Sequence, residues 1–226
     1  MASFGAGEWP FPAACFVRIV DASDSSLVSR AMSTASILRA CLLLASLAAT
    51  SPVHATASDG AAAAPATDLS GVDDFAFEVG RWRVHHHVLK LQPDGRQQWL
   101  EYDGTSSNHE IMGGLVNIED NLFHTPDGDR GGVAIRSYDS SNGSWAIWWI
   151  DGRYPHGAMD PPVVGRFVDG VGTFHSDGTV NGRPARTRFT WSEITPTSAR
   201  WEQALSYDSG GTWQVNWIMT FQRVPE

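Results

Sequence analysis

Three consecutive histidines, His85, His86 and His87, form the densest group of chemistry-bearing side chains in this sequence. Imidazole ligates metals and moves protons near neutral pH. Successive side chains of a strand leave on opposite faces, so only His85 and His87 can converge on one ion. Two imidazoles fall short of the three or four protein ligands of a zinc site. No spacing marks His109, His124 or a carboxylate as the third, and no metal centre is predicted. His86 takes the opposite face, where it reads as a hydrogen-bonded core residue or a pocket group that could donate a proton.

The remaining polar candidates, Arg136 with Tyr138, Arg186 with Arg188, and Glu202 with Gln203, supply charge and polarity within predicted strands. Any that point inward must be paired or must meet a ligand, because an isolated buried charge is very costly. An inward arginine would suit a ligand carboxylate, whereas an outward one is ordinary surface charge. Trp148, within Trp145-Ala146-Ile147-Trp148-Trp149, and Trp217 supply aromatic walls of the kind small-ligand pockets use. The candidate ligand-binding set is therefore His86, Arg136, Tyr138, Trp148, Arg188, Glu202 and Trp217. His109-Glu110-Ile111-Met112-Gly113 lacks the second histidine of a zincin, no Gly-x-Ser-x-Gly occurs, and Asp127-Gly128-Asp129 lacks the other ligands of a calcium loop. No catalytic residue is assigned.

What must position these residues is a series of short strands. Asp94-Gly95, Asp127-Gly128, Asn142-Gly143, Asp151-Gly152, Asp169-Gly170, Asp177-Gly178, Asn181-Gly182 and Ser209-Gly210-Gly211 tolerate the positive φ of tight turns. Strands are predicted between them over 79–90, 96–107, 115–123, 132–139, 144–151, 163–168, 171–176, 184–193, 198–207 and 212–223. The nearest approach to a helix is one turn near His109 to Gly113. The predicted fold is all-β, an antiparallel up-and-down barrel of about ten strands or two stacked sheets, with short connections that make neighbours antiparallel. In the first strand Gly80, Trp82, Val84, His86 and Val88 share a face, so His86 points inward. In the last, Trp213, Val215, Trp217, Met219, Phe221 and Arg223 share the core face.

Gly80-Arg81-Trp82 in the first strand, with Arg223 closing the last, resembles the Gly-x-Trp and terminal arginine of lipocalin-like (calycin) barrels. That resemblance implies that Gly80, Trp82 and Arg223 close one end of the barrel, the arginine packing across the tryptophan. Related barrels bind haem through one histidine, which makes haem at His86 the alternative to the prediction of no cofactor. Asp73-Asp74-Phe75, Phe77 to Trp82, Trp145 to Arg153, Trp201-Glu202-Gln203 and Trp213 to Met219 also resemble an uncharacterised bacterial family of lipocalin-like domains. It covers nearly everything from Val72 onward and implies no reaction.

The N-terminal third reads as an address. Ile37 to Ala49 is an apolar run followed by small residues up to Ala57, the pattern of an export signal. It is too short for a bilayer, which needs about 20 apolar residues. Met32 gives that signal a short n-region with Arg39, so residues 1–31 are expected to be a non-native or disordered extension, 32–57 a signal peptide, 58–70 an Ala-rich linker and 71–226 the barrel. Cleavage removes Cys15 and Cys41, leaving no thiolate chemistry and no disulfide. Net charge is −9, a poor match to nucleic acid or anionic membrane. The expectation is a periplasmic or secreted barrel holding a small, partly apolar molecule, with no nucleic-acid partner and no membrane span. Its rivals are an isomerase, cyclase or lyase using His86, Tyr138 or Glu202, and an interaction domain with a filled core.

Overall fold

The computed structural model describes residues 67–92 and 95–225; the expected extension, signal peptide and most of the linker lie outside them. Ten strands follow one another: β1 Gly80–Leu91, β2 Gln97–Ile111, β3 Val116–Thr125, β4 Gly128–Asp139, β5 Ser144–Asp151, β6 Val163–Val168, β7 Val171–Val180, β8 Arg183–Ser192, β9 Ser198–Ser206 and β10 Gln214–Arg223. Each pairs antiparallel with the next, and β1 pairs with β10, so the sheet closes into a barrel. Closure removes every exposed edge.

The expected turn at Asp177-Gly178 is not one. Asp177 and Gly178 pair within the ladder with Arg186 and Ala185, and β7 runs on to Val180. Only one reversal fits between β7 and β8, and Asn181-Gly182 makes it with φ of 52° and 73°, the two positive values a type I′ turn demands. Trp213 is also misplaced by simple alternation. A register shift between Val215 and Trp217 reverses the phase of β10, so Trp213 packs against Arg188 at 4.4 Å and His175 at 5.8 Å, while Trp217 and Phe221 stay in the core. Among the described residues the helical pieces are 3-10 turns at Ala76–Glu78 and Met112–Gly114.

One end of the barrel is plugged from within. Phe75 is 1% exposed, and its ring meets Trp145, Phe167, Phe174 and Trp191 at 5.0–6.2 Å. Below it, Trp82 Nε1 donates to the Glu78 carbonyl at 2.7 Å. Trp82 faces Arg223 across the β1–β10 ladder, and the guanidinium lies 4.2 Å from its ring centre. Arg223 also donates to the carbonyls of Pro196 at 2.7 Å, Val79 at 2.6 Å and Phe77. Gly80 fits beside it because a Cβ there would sit 2.9 Å from Nη1, at a φ of +114°. The wall is thinnest between β5 and β6, which pair at only three positions, Trp145 to Ile147.

Because Arg223 joins the plug, both terminal strands and the β8–β9 turn, Arg223→Ala is expected to destabilise the barrel by about 2–4 kcal/mol. Arg223→Lys, a point charge in place of a fork, recovers less than half. Urea unfolding midpoints followed by tryptophan emission measure both.

Candidate ligand-binding site

Inside the cylinder the wall has two characters. β2, β3 and β4 turn Ser106, Asn108, Asn117, Glu119, Asn121 and Arg136 inward, all buried. β5 through β10 turn mainly aromatics inward. Between the two lies a cavity of about 50 Å³, the space open to the centre of a water-sized sphere. Trp149, Trp191, Trp201 and Trp217 form its aromatic side, with Phe123 and Phe189; Glu119, Asn121, Arg136 and Gln203 are its polar members. An adjoining hollow of about 30 Å³ shares Phe123, Trp149 and Trp217 and adds Arg130, Asp151 and Arg153, a polar margin where β4 begins and β5 ends.

Arg136, 3% exposed, anchors the polar side. Its Nη1 lies 2.8 Å from Glu78 Oε2 and donates to Asn117 Oδ1 at 2.8 Å; Nη2 donates to Glu78 Oε1 at 3.0 Å and Glu119 Oε2 at 2.5 Å. Ser106 Oγ donates to Glu119 Oε1 at 2.7 Å, and Asn108 Nδ2 to Glu78 Oε2 at 3.3 Å. One guanidinium cannot neutralise two carboxylates. Burial, reinforced by the neighbouring Glu119 carboxylate, outweighs Arg136 and holds the Glu78 carboxyl well above its ordinary range.

His86, 1% exposed, stacks on Tyr102 at 4.9 Å and contacts the rings of Phe123 and Trp217 at 5.1 and 5.8 Å. Trp217 Nε1, a donor only, lies 3.2 Å from Nδ1, so the neutral ring carries its proton on Nε2. That nitrogen abuts Gly104, where a Cβ would come within 2.8 Å of it. Burial, then the charges of His85 and Arg130, push the imidazole down to about 3. This histidine is a packed aromatic. Haem does not fit: both ring nitrogens are enclosed and the cavity holds only a few waters' worth of space.

No protein-family model matches the chain, and no curated protein matches it. Solved structures do. The S-type phycobiliprotein lyase CPES from Guillardia theta is 11% identical, with a TM-score of 0.41, over 69% of this chain and 94% of that one. A redesigned β-barrel, b11L5F_LGL, is 10% identical with a TM-score of 0.36, over 66% and 94%. EF1p2_mFAP2b bound to DFHBI is 11% identical with a TM-score of 0.34, over 68% and 98%. The barrel assignment rests on this chain's own strand pairing.

The sequence-predicted candidates divide. Arg136 and Trp217 line the cavity, and His86 packs behind Phe123 and Trp217. Tyr138 is buried below it, where its hydroxyl accepts from the Gly71 N–H at 3.1 Å and its ring meets Trp145 at 5.2 Å. Trp148, Arg188 and Glu202 belong to the outer face: Trp148 alternates with the lining residues Ile147 and Trp149, Arg188 lies over Trp213, and Glu202 pairs with Arg200. His86, Tyr138 and Glu202 thus lie in three different places: behind the cavity wall, below the cavity and on the outer face. Arg136 is engaged by carboxylates of its own and is not waiting for one from a ligand.

The predicted ligand-binding set did not include Glu78, Glu119, Trp149, Trp191, Trp201 or Gln203. Gln203 was recoverable, since Trp201 inward in β9 puts Gln203 inward and Glu202 outward. On the outer face, His85 Nδ1 lies 2.9 Å from Asp103, His87 lies 3.8 Å from Glu101 and stacks on Trp99 at 4.3 Å. Among the described residues no group of three or more His, Cys, Asp or Glu could hold a metal ion.

Glu78 gives the barrel a pH signature. Its folded-state pKa lies above the unfolded value of 4.5, so the stability it contributes is complete below that value and falls as pH rises through the folded value. Glu78→Gln is expected to flatten the decline in urea midpoint between about pH 5 and 8 and to cost under about 1 kcal/mol at pH 5. Arg136→Met, which strands two acids, is expected to cost about 3–5 kcal/mol at pH 7.

Proposed function

We propose that this chain is an exported container that binds a small, partly apolar molecule inside a lipocalin-like barrel. The observation that carries the reading is the cavity, where four tryptophan side chains converge opposite a hydrogen-bonded polar wall. Small-ligand sites combine an aromatic lining with a few placed polar groups in this way. The stack of Arg223 on Trp82 beside Gly80 supports the calycin comparison. Export rests on the sequence alone, on the Ile37–Ala49 run and the small residues after it, and points to the periplasm or beyond. The acidic net charge of −9 argues against nucleic acid as partner.

The cavity as it stands is about a third of the roughly 150 Å³ that admits benzene in an apolar protein core. A ring-sized ligand therefore requires a wall residue to move. Met219, unbranched and partly buried in the lining, is the side chain best able to do so.

Ligand in the cavity would touch Trp149, Trp191, Trp201 and Trp217, so titration with single-ring and two-ring compounds is expected to quench or shift tryptophan emission. Met219→Ala is expected to tighten binding of the larger ring by about tenfold, and Ala134→Val, which fills the cavity, to abolish binding while the folded spectrum persists. Identical titrations for all three proteins would refute the container reading.

A further inference from the structure

Two residues of the cavity lining each carry a polar atom that is buried without a hydrogen-bond partner among the described residues: the Trp191 Nε1–H donor and the Gln203 Oε1 acceptor. Trp191 is 1% exposed, Gln203 2%, and both belong to the lining. Gln203 Nε2 is already used, donating to Asn216 Oδ1 at 3.1 Å, which leaves Oε1 as the free end of the amide. In the β8–β9 ladder Trp191 pairs with Trp201 and Phe189 with Gln203, so Trp191 and Gln203 are diagonal neighbours. Such neighbours have Cβ atoms roughly 7–8 Å apart, a span across which two long side chains can serve one planar polar group. Buried polar atoms are normally bonded, and each exception requires a reason.

Charge narrows the ligand further. Both terminal nitrogens of Arg136 are occupied by Glu78, Glu119 and Asn117. Of the donors of Arg136, Nε alone is buried without a partner. A carboxylate ligand would have to enter beside the Glu119 carboxylate, itself a member of the lining, where the one guanidinium of that lining is already paired with Glu119. An isolated charge is costly in such a site. An apolar ligand would leave Trp191 Nε1 and Gln203 Oε1 as they are.

We propose that the cavity selects an uncharged, planar, ring-bearing ligand whose polar edge offers an acceptor to Trp191 Nε1 and a donor to Gln203 Oε1, as a primary carboxamide does. The inference rests on the container role proposed above and specifies its ligand class. Benzamide, benzoate and toluene have nearly one shape and differ in just these respects.

Calorimetric and fluorescence titrations of the full chain at pH 7 with the three compounds test it. Benzamide is expected to bind at least tenfold more tightly than either of the others. That preference over toluene is expected to fall about tenfold in Gln203→Leu and in Trp191→Phe, with unchanged circular dichroism. Benzoate binding as tightly as benzamide would overturn the selection against charge. Toluene matching benzamide would mean that the two polar atoms are met by water and would overturn the polar-edge requirement. Both results leave the container role standing, whereas no binding of any of the three, in the parent chain or in Met219→Ala, would remove both. The comparison on the parent chain holds even if a variant does not fold.

Discussion

The pairing of β1 with β10 is the constraint on which the molecule turns. Once the sheet closes, inward side chains are largely withdrawn from bulk water, and an inward polar atom normally finds its partner inside the cylinder. Arg136 shows the consequence. A lone guanidinium in that interior would be untenable, and two strands and the Ala76–Glu78 turn build its surroundings: Glu78 from the plug, Asn117 and Glu119 from β3, with Ser106 and Asn108 of β2 holding the carboxylates. The network joins the plug to the wall and draws inward polarity onto β2–β4. The aromatic residues are thereby left to β5–β10, and the cavity opens along the boundary.

Two buried titratable groups bound the conditions under which this interior is most stable. Glu78, its folded pKa raised, favours folding at low pH and loses that contribution above the ordinary glutamate value of 4.5. His86, depressed from 6.5 to about 3, contributes above 6.5 and loses that contribution as pH falls. The opposed signs have one physical origin, burial penalising the charged form in each case. The two groups therefore oppose one another between 4.5 and 6.5, the ordinary values from which each departs.

Architecture was legible because its signals are local. The turn signals that break the chain all carry glycine, and strand periodicity sets the rest; the one false turn, Asp177-Gly178, fails because the adjacent Asn181-Gly182 competes for the same reversal. Direction within a strand was harder. In β5 both alternations are apolar, Trp145-Ile147-Trp149 against Ala146-Trp148-Ile150, so nothing in that segment says which tryptophan faces in. In β10 the shift at Val215–Trp217 breaks parity without a sequence mark. Glu78 was missed for another reason: it acts from a 3-10 turn ahead of the first strand, and its partner lies 58 residues away.

A barrel of this size needs no interior charges to fold. Buried ion networks are often neutral or costly relative to well-packed apolar side chains of similar volume, and the closed end already manages with aromatic rings around Phe75. Six polar residues on β2–β4 therefore call for a reason other than stability. Departures from local consistency concentrate where a protein acts. Here the departure lies next to the cavity, whose lining holds Glu119 and Arg136 together with Trp191 and Gln203, the two residues of β8 and β9 with an unpartnered buried atom. A filled, uniformly apolar cylinder would hold its shape as well, but it would have no means of telling one small molecule from another.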